Sequence, residues 1–72
     1  MPQVSGIVVE WSRERGFGKV ECDGIGTLIF DGSVVVEEGM HPGDPVLVEI
    51  AEVKGRQRAV RVQPDNRWQN RP

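Results

Sequence analysis

The chain has 72 residues, with 9 Lys or Arg against 11 Asp or Glu and a formal net charge of −2. That length allows one domain with a thin core, burying roughly 60% of its unfolded surface. The acidic balance excludes a uniformly basic nucleic-acid binder, and the lone Cys22 excludes an internal disulfide.

The apolar residues are mostly Val and Ile, a β-type composition. Nine Gly and five Pro punctuate the chain too often for a long helix. No segment keeps a 3.6-residue apolar period, and no apolar run is long enough to span a membrane. Met1 is followed by no basic-then-apolar leader. The expectation is a soluble, cytoplasmic protein in a reducing compartment, with no membrane association. Cys22 and His41 alone build no zinc site, so no metal and no cofactor are expected. Cys22 reads as a small packed residue at a strand end.

In chain order, Val4 to Trp11 is a β-branched run and predicts a first strand. Ser12 to Arg15 is polar and closes on Gly16, as a turn would. Phe17 to Cys22 predicts a second strand. Asp23-Gly24-Ile25-Gly26 suits a hairpin loop, and Thr27 to Phe30 a short third strand ended by Asp31-Gly32. Ser33 to Val36 fits either extended chain or one helical turn capped by Ser33. Glu37-Glu38-Gly39 and Pro42-Gly43-Asp44-Pro45 are turn chemistry. Val46 to Val53 alternates, with Val46, Val48 and Ile50 on a buried face. Lys54-Gly55 turns into a fifth strand, Arg56 to Val62. There Arg56, Arg58, Val60 and Val62 share one parity and Gln57, Ala59 and Arg61 the other. One domain over 1–63 and a flexible polar tail over 64–72 follow, with Trp68 in the tail between Arg67 and Arg71.

Charge is unevenly placed. Residues 20–53 hold eight acids and no Lys or Arg, while residues 54–72 hold six bases against Asp65. A folded chain with that pattern can present a basic side and an acidic side. Five short strands with tight turns suit a small closed sheet, which removes exposed edges. Pattern alone leaves an SH3-like barrel as the competing architecture.

Arg15-Gly16-Phe17-Gly18-Lys19-Val20 is the most informative segment. It resembles the first ribonucleoprotein motif, in which glycines admit a close backbone, alternate aromatics stack bases, and the leading cation meets phosphate. The longer stretch from Gly6 to Val20 resembles, without a gap, the opening strands of the bacterial cold-shock domain. Thr27-Leu28-Ile29-Phe30-Asp31-Gly32-Ser33 resembles that family's second motif. Pro42 to Val48 is similar to its fourth-strand entry, and Arg58 to Val62 to its closing strand. The resemblance covers residues 6–62 and implies an all-β, five-stranded antiparallel OB-fold barrel that binds single-stranded RNA or DNA.

Carried over by position, the family's binding face keeps Trp11 and Phe17. Trp11 falls on the second ring of the family's Trp-Phe pair and Glu10 on the first; a one-residue gap would give Trp11 the first position instead. Lys19, Ile29, Asp31 and Gly32 stand where the family has rings or His, and Phe30 falls on a core position. Base–aromatic stacking contributes roughly 1–3 kcal/mol per base, so the lost rings imply weak binding with little sequence preference. The expected contact residues are Trp11, Arg13, Arg15, Phe17 and Lys19 from the first hairpin, then Ile29, Arg56 and Arg58, with Lys54 beside them.

Two functional classes follow. One is a small RNA chaperone or transcription- or translation-associated factor. The other is a protein-interaction module on the same barrel, through an apolar patch of Ile7, Val9, Trp11, Phe17 and Ile29, acting as a monomer or weak homodimer. An enzyme is not expected: His41 lies in a Pro/Gly turn, with no Ser-His-Asp set and no phosphate-binding loop.

Overall fold

A computed structural model describes residues 3–36 and 39–65. It contains five strands: β1 (Gln3–Ser12), β2 (Phe17–Cys22), β3 (Gly26–Asp31), β4 (Pro45–Val53) and β5 (Arg56–Pro64). All pair antiparallel in one sheet of order β3-β2-β1-β4-β5. Three hairpin-connected strands are thus followed by a fourth that returns beside the first, which is Greek-key connectivity.

β1 is the axis of the sheet. Its first half, Gln3 to Ile7, pairs with β4, and Gly6 to Ser12 pairs with β2. Val9 is an extra residue between the pairs Val8–Val20 and Glu10–Lys19. Such a bulge bends the strand and increases its twist. Just before the bulge the backbone of Val8 is held by the loop before β4: its N–H donates to the Asp44 carbonyl (3.0 Å) and its carbonyl accepts from Gly43 N–H (2.7 Å). The curled sheet brings its two edges, β3 and β5, within 8 Å between Cα atoms. No ladder joins them among the described residues, so the sheet is not closed.

The core lies on the concave face. Val8, Val20, Cys22, Phe30, Val46, Val48, Ile50 and Val62 are buried there, with Met40 reaching in from the loop. The alternation of Val46, Val48 and Ile50 is as the sequence suggests. β5 departs from simple alternation: Val60 is a second bulged residue, between the pairs Glu49–Arg61 and Ile50–Ala59. Ala59 and Val62, of opposite parity, are therefore both buried. Opposite Glu49, Arg61 makes a cross-strand ion pair (3.5 Å).

The stretch after β3 resolves into a 3-10 turn, Gly32–Val34, and its cap is Asp31 rather than Ser33. Asp31 is extended and accepts from Ser33 N–H (2.8 Å) and from the Ser33 hydroxyl, so the aspartate one strand-end earlier takes the capping role. Val35 then bridges to Val62 in parallel, covering part of the β5 edge. The fifth strand also runs further than composition suggests. β5 runs to Pro64, and Asp65 is buried with its N–H donating to the Pro45 carbonyl (3.1 Å). Trp68, Arg67, Arg71 and the Glu37-Glu38 pair lie outside the described residues.

Candidate nucleic-acid interface

Residues directly opposite in an antiparallel ladder share a face. Val8–Val20–Leu28 and Trp11–Gly18–Phe30 are therefore the inward rows of β1, β2 and β3. The outward rows are Ile7–Glu21–Thr27, Glu10–Lys19–Ile29 and Ser12–Phe17–Asp31, with bulged Val9 beside Glu10. Phe17, Lys19 and Ile29 thus share the convex face, and Lys19 sits between Glu10 and Ile29. Four apolar side chains on this face stay in solvent: Ile7 and Val9 are each 47% exposed, Phe17 37% and Ile29 68%.

Trp11 does not join them. Simple alternation groups it with Ile7 and Val9, but the bulge at Val9 reverses the parity and turns Trp11 inward. Its ring stacks on Phe30, centroids 5.5 Å apart and 18° between planes. Gly18 makes that contact possible. A Cβ there would lie 3.0 Å from the Trp11 ring and 2.9 Å from Phe30, and would collide with the Glu10 carbonyl. The apolar patch is therefore Ile7, Val9, Phe17 and Ile29, with Trp11 as half-buried packing beneath it.

Arg13 and Arg15 lie in the exposed β1–β2 turn. Ser12 organises that turn: its hydroxyl accepts from Arg15 N–H (3.2 Å) and its carbonyl from Gly16 N–H (2.9 Å). The turn also docks on the 3-10 segment, since Gly32 N–H donates to the Gly16 carbonyl (2.8 Å). Arg56 and Arg58, far away in sequence, come to Ile29 across the gap between the sheet edges, and Lys54 joins them from the β4–β5 turn. The structure therefore gathers Phe17, Lys19, Ile29, Arg56 and Arg58 along one side. Arg13 and Arg15 stand at the end of the hairpin.

The local electrostatics are mixed. Lys19 lies between Glu10 and Ile29 on the ladder, and Asp31 shares a cavity with Arg58 across the gap. The Ser33 hydroxyl and then the Ser33 N–H hold the Asp31 carboxyl below the usual aspartate range, with a smaller contribution from Arg58. Asp31 therefore stays ionised beside Phe17 at neutral pH. Cys22, on the other face, has its thiol pushed up by burial and then by Asp23, which keeps it protonated.

Lys54 and the apolar walls of the gap, Leu28 and Val53, complete this side. Their placement depends on how the sheet curls, which local pattern does not reveal. Among the described residues there is no group of three or more His, Cys, Asp or Glu side chains able to hold a metal, and no helix long and apolar enough to cross a membrane. His41 packs beside Asp44 in its turn (3.8 Å). No protein-family model matches the sequence, and no curated protein matches it.

Proposed function

We propose that this chain is a divergent cold-shock-like protein whose sheet is a partly open OB barrel and whose convex face binds single-stranded RNA or DNA weakly. The Greek-key order and the facing edges of β3 and β5 support the barrel reading, because the OB fold is a five-stranded, partly open Greek-key barrel. The observation that carries the binding reading is the shared outward face of Phe17, Lys19 and Ile29 with Arg56 and Arg58 beside it. Single-strand binders combine a platform on which bases stack with cations that track the backbone. Here the platform is one ring and one aliphatic side chain, so affinity is low and sequence preference small. The protein would act without a cofactor and without catalysis, as an RNA chaperone or a transcription- or translation-associated factor.

The test is fluorescence anisotropy of a labelled pyrimidine-rich single-stranded oligonucleotide across a salt series. Binding at micromolar protein that weakens as salt rises is the expected result. Absence of binding at low salt and micromolar protein would reject the reading.

The exposed apolar set Ile7, Val9, Phe17 and Ile29 also favours a second reading, a protein-interaction face. Sedimentation across a concentration series separates the two. Self-association lost in Ile29→Ser, together with no nucleic-acid binding, would support the second reading.

A further inference from the structure

The facing edges of the sheet enclose a cleft of about 560 Å³. Leu28 and Ile29 form its β3 wall, Arg56 and Arg58 its β5 wall, and Val53 and Lys54 its hairpin end. Among the described residues it is lined by three cations and no carboxylate. A neighbouring cavity of about 440 Å³ continues it past Ile29 and Arg58 to Asp31, over a floor of Phe30, Val34 and Ala59. The groove is thus cationic at the hairpin end and carries its one acid at the end near Phe17.

Two features bear on what lies in it. The first is width. The sheet edges come within 8 Å between Cα atoms. Seating another strand between them needs two ladder spacings, roughly 9.6 Å. Where the edges approach this closely there is no room for an added peptide strand, so a ligand there lies over the sheet edges rather than between them. The second is Lys54. It has φ 53°, and Gly55 after it φ 79°, so both central residues of the turn are left-handed. Turns of this type favour Asn-Gly or Gly-Gly. A lysine held there places a cation at the mouth of the cleft on a backbone that suits Asn, Asp or Gly better.

We propose that the cleft is the phosphate track of the single-strand site: the sugar-phosphate backbone runs along Lys54, Arg56 and Arg58, and the bases turn outward over Ile29 toward Phe17. This rests on the single-strand-binding reading and adds a direction to it. Arg56 and Arg58 are two residues apart on one strand, about 6.8 Å, a spacing that suits successive phosphates of an extended chain. Asp31 closes the track at its other end by repelling phosphate, so the backbone leaves the groove before Phe17.

The experiment is the salt dependence of oligonucleotide binding for the wild type and for Lys54→Gly/Arg56→Gln/Arg58→Gln. All three positions are exposed, and glycine suits the left-handed backbone at 54, so the variant should fold; circular dichroism melting checks this. Each phosphate contact contributes about 0.7 to the slope of log affinity against log salt for a single strand. The triple variant should therefore lose about 2 from that slope. Arg61→Gln, on the same strand but paired with Glu49, should leave it unchanged. Wild-type binding with an unchanged slope in the triple variant would overturn the track while leaving nucleic-acid binding intact. A loss of about 0.7 in Arg61→Gln, the same per charge as in the triple variant, would reduce it to net charge and overturn it too. No wild-type binding would remove both proposals.

Discussion

The two faces of the β1–β2–β3 hairpins carry similar side chains and treat them in opposite ways. Inward, Val8, Val20 and Phe30 are sealed, and Trp11 stacks on Phe30. Outward, Ile7, Val9, Phe17 and Ile29 stand in water on the same strands, often one residue away. Burial, not residue type, separates the rows. The inward row is accounted for by the fold. The outward row adds little to stability, which is why it is the place to look for a ligand.

The sharpest way to break this contrast is to remove one ring from each face. Phe30→Ala empties a fully packed site beneath Trp11, and such truncations cost about 3–5 kcal/mol. For a domain this small that is most of the stability, so urea denaturation should find the variant largely unfolded. Gly18→Ala tests the same row from the opposite side. Its methyl group would collide with the Glu10 carbonyl and press on Trp11 and Phe30, and overpacking costs about 1–3 kcal/mol. A denaturation midpoint close to wild type in either variant would mean the Trp11–Phe30 stack does not support the core.

Phe17→Ala should do the reverse. Its stability should fall much less than that of Phe30→Ala, because its ring is 37% exposed and the Phe30 ring is sealed. Its affinity for single strands should fall by about 1–3 kcal/mol if the ring stacks on a base. Ile29→Phe sharpens the same point. It places a second ring on the open face, opposite Lys19 and one strand from Phe17, and should tighten binding without changing the melting temperature. Titration of both variants with one labelled oligonucleotide checks this. Equal affinities for wild type and both variants would make the outward row scaffold.

Much of the inward row was legible in the sequence. β-branched runs between Gly and Pro marked five strands, and alternation in β4 named Val46, Val48 and Ile50 as core. Cys22 and Phe30 were also readable as packed residues. What escaped were the two bulges. A bulge adds one residue to a strand without leaving a local signal, yet it reverses every side chain beyond it. Val9 thereby moved Trp11 from the expected patch to half-buried packing against the core, and Val60 let Ala59 and Val62 both turn inward. The cleft was illegible for a related reason. Arg56 and Arg58 meet Ile29 only because the sheet curls, a property of the whole ladder rather than of any segment. The chain end misled as well: Pro64, expected in the tail, extends β5 by pairing with Val46.

The smallest expected effect concerns Asp31, where the two faces meet. Its carboxylate caps the 3-10 turn through Ser33 and also faces outward beside Phe17. Ser33 lowers its pKa, so the ionised form is favoured by folding. The stabilising contribution is present above the ordinary aspartate range and fades as pH falls through the lowered folded value. Ser33→Ala should remove the hydroxyl's share of that acid sensitivity and leave the share of the backbone N–H. Binding responds with the opposite sign, because an anion beside Phe17 repels phosphate. Asp31→Asn should therefore slightly weaken the fold and tighten oligonucleotide binding several-fold at most, the gain shrinking as salt screens it. Melting and anisotropy on the same variant read the two effects separately. Weaker binding in Asp31→Asn would mean that the carboxylate accepts from a base, making Asp31 a base contact rather than the end of the phosphate track.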